Sequence, residues 1–311
     1  MKTRIALGTV LLIAATSACG AQSLNGSAKA ADQPSATASL DQAPADDKAA
    51  SVIDAITPDP ALAGKVPGGV LKVTTSVGYP PMEIFAGDGK TPVGLDPSLA
   101  RAIARKLGTR VTVANEDFNA QIPGVLTGRY DVILSSMSDT AERQAKVSFV
   151  DYVQAGAGML VKKGNPAGIR TTADLCGKTI SVVDNGSSLA LANSVSAACK
   201  KSGKAAAGIL KFAGDQEALL QVGNGRAQAN ITDYVVAASK AADPRTGTDA
   251  IAVPGTESPW GIGINKDNQQ VVSAVQAALN SLIKSGDYGK ILHAWGLDQL
   301  AVASAVVNGG K

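Results

Sequence analysis

The feature that most constrains this chain is a rhythm. From Gly69 onward, short runs rich in β-branched and aliphatic residues alternate with amphipathic stretches: Val70 to Val77, Pro97 to Leu107, Arg110 to Val113, Ile122 to Gly128, and Asp131 to Ser135. Strand-length apolar runs spaced by helix-length periodic ones hide their faces by layering helices on a sheet, so the pattern predicts an α/β fold with mostly parallel strands. The first helix is the best signalled. Asp96 stands where a cap is wanted, Pro97 suits the first turn, Leu99, Ile103 and Leu107 share one face, and Gly108 ends it.

The rhythm then restarts. Strands are expected near Gly158 to Val161, Thr179 to Val183 and Gly208 to Phe212, with helices near Leu189 to Lys200 and Gln216 to Val222. Two further strands, Ile251 to Val253 and Gly261 to Ile264, precede a long helix, Gln269 to Lys284, and a short one, Tyr288 to Trp295. A restart predicts a second lobe, and the tail is expected to return to the first. Residues 68–157 and 254–311 then form lobe I and residues 158–253 lobe II. A chain that leaves and returns crosses twice, and two adjacent crossover strands form a hinge.

The N-terminus reads as an address. Lys2 and Arg4 precede an apolar run from Ile5 to Ala15, too short to span a bilayer, and small residues lead to Cys19. Residues 1–18 are therefore expected to be a signal peptide. Thr16-Ser17-Ala18-Cys19 resembles a bacterial lipobox, which implies that Cys19 carries lipid and that the chain is exported and anchored to the outer face of the cell membrane by that lipid alone. The alternative is an ordinary secretory signal cleaved near Ala18. Residues 19–67 are rich in Ala, Ser, Asp, Gln and Pro without sustained periodicity, which predicts a solvated tether.

Charge and cysteine usage exclude several classes. The formal net charge is +3, and removal of Lys2 and Arg4 with the signal leaves +1, which gives no reason to expect nucleic acid. With Cys19 lipidated, Cys176 and Cys199 are the remaining cysteines, and an exported pair favours a disulfide, two buried thiols being the alternative. His293 is the one histidine, which argues against zinc. No metal and no cofactor are expected.

Several motifs carry a resemblance. Val77-Gly78-Tyr79-Pro80-Pro81-Met82-Glu83, followed by Gly94-Leu95-Asp96, looks like the opening of the family-3 extracellular solute-binding proteins, the polar-amino-acid receptors of ABC importers. The run from Ile122 to Asp131 resembles the helix and strand before the family's ligand loop, and the run from Ser135 to Arg143 resembles that loop. Asp174 to Lys178 with Asn185 to Ser188, then Gly225 to Ala229 leading to Asp233, are similar to the second-lobe segments, and Gly286-Asp287-Tyr288 with Ile291 to Leu297 to the closing helices. The resemblance covers about Val70 to Leu297. It implies two α/β lobes of the type II periplasmic-binding-protein fold, joined by two hinge strands, with an amino-acid-like ligand between them, a monomer that docks on ABC transporter permease subunits and catalyses nothing.

The chemistry of such a guest sets what the cleft must hold. A zwitterion brings a carboxylate and an ammonium in fixed relation, so a dry cleft needs a fork of donors and an anion. Arg143 matches the family's carboxylate-binding arginine, whose planar guanidinium makes two parallel charge-assisted bonds; taken alone, it reads equally as a surface residue pairing with Glu142 or Asp139. Ser136 and Ser138 match contacts of the ligand loop, with Ser138 expected at a helix N-terminus. Asp233 matches the residue that pairs with the ammonium, or is only a helix cap. Ser187 and Ser188 match donors at a second-lobe helix N-terminus. Tyr79 and Phe118 match aromatic walls, or are plain packing. Glu83, near Tyr79, could read a basic or amide side chain or face solvent, and Trp260, close to the return strand, could cover the cleft mouth or be plain packing; neither is assigned. Two rivals remain: an enzyme of the dehydratase type on the same fold, and a ligand-sensing module, which would need a membrane span after the lobes.

Overall fold

A computed structural model describes residues 40–310. The expected signal segment 1–18, Cys19 and the tether as far as residue 39 lie outside the described residues. Chain order gives α1 (Ala50–Ala55), β1 (Val70–Thr75), a hairpin of β2 (Ile84–Phe85) and β3 (Pro92–Val93), α2 (Leu95–Lys106), β4 (Arg110–Asn115), α3 (Phe118–Leu126), β5 (Val132–Ile133), the short α4 (Ala141–Gln144) and β6 (Val147–Ala155). After Gly156 follow β7 (Ala157–Lys162), β8 (Thr179–Val183), α5 (Ser187–Lys201), β9 (Gly208–Phe212), α6 (Asp215–Gly223), β10 (Ala229–Asp233), α7 (Tyr234–Ala242) and β11 (Thr248–Ala252). The chain then returns through β12 (Ser258–Asn265), α8 (Gln269–Ser285) and α9 (Asp287–Trp295).

The strands sort into two five-stranded sheets, in the orders β4-β1-β5-β12-β6 and β11-β7-β10-β8-β9. Each sheet is mixed, which corrects the expectation of mostly parallel strands. β1 runs parallel to β4 and β5, and β8 parallel to β9 and β10. β12 is antiparallel to β5 and β6, and β7 is antiparallel to β10 and β11. The double crossing accounts for the pair β6 and β12: β6 leads out of the first sheet toward the second and β12 leads back, so the two lie side by side in opposite directions. The two crossings lie side by side, with Ser258 of β12 paired to Ala155 of β6, and Thr256 Oγ1 accepting from the Ala157 N–H at 2.8 Å.

Each sheet carries its own core. In the first lobe Leu95, Leu99 and Ile103 of α2 pack with Val271, Val275 and Leu279 of α8 and with Ile291 and Leu292 of α9. Full burial of each such side chain stabilises by about 1.5–3 kcal/mol. In the second, Met159, Ile180, Val182 and Ile231 of the sheet meet Ala192 and Val195 of α5. Cys176 and Cys199 are bonded, with Cα atoms 5.4 Å apart, and clip the end of α5 to the loop before β8.

Two sequence expectations fail here for physical reasons. The solvated tether does not run to residue 67, because Ala49, Ile53 and Ile56 are buried in the first-lobe core and α1 lies against α2 and α9. Asp47 enters with them and is paired, accepting from Ser98 Oγ at 2.6 Å and meeting Arg101 Nη1 at 3.2 Å. Asp96 does not cap α2. The helix begins at Leu95 after Gly94, and Asp96 turns into the interior, fully buried. The tail beyond α9 is also anchored. Val307 bridges Val150, Asn308 exchanges bonds with Phe149, and the Gly309 and Gly310 N–H groups donate to Asp151 and Asp139.

Candidate functional site

Between the two sheets lies a cavity of about 280 Å³. Tyr79, Phe118, Ser136, Ser138, Arg143, Ser187, Ser188 and Asp233 all line it, the first five from one lobe and the last three from the other. Glu83 lines it too, whereas Trp260 is fully buried in β12 and does not.

Arg143 sits in the last turn of α4, whose N-cap is Thr140: its hydroxyl accepts from the Arg143 N–H at 3.4 Å. Ser138 is therefore not the cap, as the sequence had suggested. It precedes the helix in a bridge to Trp260, and its carbonyl accepts from Arg143 Nη1 at 2.9 Å. Arg143 Nη2 reaches across the cleft to the Asn185 carbonyl at 2.8 Å, and the Phe118 ring centre lies 5.4 Å from Cζ. Phe118 is held there because α3 begins at it, fixed by the Asp117 side chain accepting from the Asn119 N–H at 2.8 Å.

On the opposite side Asp233 ends β10. It precedes α7 but makes no side-chain cap bond; its carboxylate accepts instead from the Tyr79 hydroxyl, and the Asp233 N–H donates to that hydroxyl at 3.2 Å. Tyr79 also meets Thr232 Oγ1 at 3.0 Å. Tyr79 thus bonds the lobes together, which is more than the wall expected of it. Burial pushes the Asp233 carboxyl up to about 7, the Tyr79 hydrogen bond opposes this, the charge of Asp215 raises it further, and Arg143 pulls it down. Burial lowers the Arg143 guanidinium, and Glu142 first, then Asp233, restore part of that loss. Each of the two therefore feels the other across the cavity. Ser187 and Ser188 are the first two residues of α5, so their N–H groups are left without intrahelical acceptors at the positive end of a long helix.

Beneath the ligand loop lies a network that sequence reasoning missed. Ser136 adopts φ 49°, a left-handed conformation rare outside glycine, and this aims its N–H at Asp96 Oδ2, 2.7 Å away. Its hydroxyl lies 3.1 Å from Glu83 Oε1 and 3.2 Å from Asp96 Oδ2, and the Tyr152 hydroxyl donates to Asp96 at 2.9 Å. Burial and the neighbouring Asp96 drive the Glu83 carboxyl well above the usual carboxylate range, and burial raises Asp96 as well. No local spacing signals this network, since its members are brought together only by the packing of α2, β6 and the loop after β5. The same holds for Asp215, Gln216 and Glu217 at the start of α6, which also line the cavity. Among the described residues no group of His, Cys, Asp and Glu is placed to hold a metal.

Arginine-binding protein ArgT of Corynebacterium glutamicum is 28% identical over 246 residues, 77% of this chain and 78% of that protein. ABC transporter arginine-binding protein 1 of Escherichia coli K12 is 27% identical over 227 residues, 71% of this chain and 88% of that protein. Among solved structures, an ancestral arginine-binding protein bound to arginine superposes with a TM-score of 0.67 at 33% identity, covering 73% of this chain and 98% of its own. An ancestral amino acid-binding protein described as a precursor of cyclohexadienyl dehydratase gives 0.64 at 32%, with 73% and 95% covered. Residues 71–298 match the bacterial extracellular solute-binding proteins, family 3, and the chain belongs to that family.

Proposed function

We propose that this chain is the extracytoplasmic amino-acid-binding subunit of an ABC importer, acting by closure of two lobes and not by catalysis. The observation that carries the reading is the placement of Arg143 and Asp233 on opposite lobes of one cavity, each within electrostatic reach of the other. Arg143 takes the α-carboxylate, assisted by the Ser138 loop and by the N–H groups of Ser187 and Ser188, while Asp233 takes the α-ammonium. Ser136 and Glu83, locked to Asp96, form the rigid floor, and Phe118 and Tyr79 the walls. Guest and lobes stabilise one another because the full set of contacts exists only when the lobes are shut. Cys19 is read as the lipid anchor that holds this monomer at the outer face of the cell membrane, where it delivers its ligand to the permease subunits.

The reading is tested by calorimetric titration of Asp233→Asn with intact amino acids and with their des-amino analogues. Binding of the intact amino acid is expected to weaken far more. Equal losses for both series would remove Asp233 from the ammonium and with it the zwitterion cage.

A further inference from the structure

Among the described residues four carboxyl groups line the cavity, Glu83, Asp215, Glu217 and Asp233, against one cation, Arg143. Glu217 is exposed, Asp233 is held by Tyr79, and Glu83, whose Oε2 is also buried without a hydrogen-bond partner among the described residues, is pushed well above the usual carboxylate range by burial and by Asp96 beside it. Asp215 is different. It is 8% exposed, its Oδ2 is paired with the Lys240 ammonium, and its Oδ1 is buried with no hydrogen-bond partner among the described residues. Lys240, on α7, is itself 6% exposed. A buried carboxylate oxygen without a donor costs free energy that a bound donor would recover. The charge of Asp215 is felt at both Asp233 and Tyr79, so it stands beside the place where the ammonium would lie.

We propose that Asp215 Oδ1 reads the ligand's side chain, selecting amino acids that carry a cationic nitrogen donor, guanidinium or ammonium, and that Lys240 is the positioning residue that fixes the carboxylate for that contact. The proposal rests on the amino-acid reading above and adds the residue that sets which amino acid. Lys240 acts from behind the carboxylate: it does not line the cavity, and its bond to Oδ2 leaves Oδ1 as the free acceptor.

Titration calorimetry of the full exported domain with L-arginine, L-lysine, L-glutamine and L-norvaline tests this. The wild type is expected to prefer L-arginine or L-lysine over L-norvaline. Asp215→Asn is expected to weaken the cationic ligand by about 30-fold while changing L-norvaline by less than about threefold. Lys240→Met is expected to collapse the same ratio and Lys240→Arg to retain it, with melting temperatures of the ligand-free variants reporting that each folds. Equal weakening of all four ligands by Asp215→Asn, or no weakening of any, overturns the proposal while leaving the amino-acid reading intact. Absence of binding of any amino acid to the wild type removes both.

Discussion

Truncation of Arg143 to alanine is the sharpest perturbation available, because the structure says what the side chain has left to give. Of its five N–H groups, one is used on the Ser138 carbonyl and one on Asn185 across the cleft, so three remain for a guest. Two bonds from a guanidinium to a carboxylate contribute about 1.5–3 kcal/mol each. Truncation also removes the interlobe bond to Asn185 and the stacking on Phe118, and it leaves the guest's carboxylate buried without its partner. A combined loss of about 3–5 kcal/mol follows. At about 1.4 kcal/mol per decade, that is roughly a hundredfold to a few thousandfold in Kd. Arg143→Lys keeps the charge and loses the fork, and is expected to fall between. Calorimetric titration with the tightest ligand of an amino-acid panel measures all three proteins. An affinity for Arg143→Ala within about threefold of wild type would refute the reasoning, since among the described residues no other cation lines the cavity.

Other outcomes follow from separate parts of the molecule. Because Asp233 stands at about 7 in the empty cleft and must be ionised to meet an ammonium, ligand affinity is expected to fall as pH drops below 7, with proton release on binding; Asp233→Asn abolishes that slope in titrations across buffers. Asp233 and Asp151, both raised to about 7 first by burial, bind protons more tightly folded than unfolded, so their joint contribution to the stability of the ligand-free protein declines as pH rises through 7, as thermal melts between pH 5 and 8 will show. Replacing Cys176 and Cys199 by serine opens a loop of sequence separation 23, worth about 3.4 kcal/mol in the chain-entropy model, and is expected to lower Tm by about 7–14 °C in calorimetry. Ending the chain at Val307 removes the N–H donors to Asp139 and Asp151 and loosens the loop that carries Arg143. Affinity is expected to weaken by about three- to tenfold, with the fold retained by circular dichroism.

What could be read from sequence was what local pattern encodes. The strands at Thr179–Val183 and Gly208–Phe212 and the long helix α8 announce themselves by composition and period, and the ligand loop by its run of residues from Ser135 to Arg143. The misreadings share a cause: each depended on a partner far away in the chain. Asp96 has the spacing of a cap and becomes the anchor of Ser136 and Tyr152 only through packing. Residues 44–56 look like linker because one turn of helix leaves no periodic trace, yet Ile53 fills a groove between α2 and α9. β6 escaped notice because Ser148 and Asp151 interrupt its apolar run, and both are buried only once β12 and the tail flank it. Asp215 and Lys240 lie 25 residues apart and carry no motif that joins them.

The two crossings at Gly156 and between Ala252 and Ser258 make the second lobe one uninterrupted stretch of chain, while both ends of the described polypeptide are fastened to the first. Ser188, Asp215 and Asp233 therefore travel together as a single inheritable block. Exchange of that block between relatives, at two cuts a few ångströms apart, would transplant half of a recognition surface while leaving the other half, and whatever grips the termini, undisturbed.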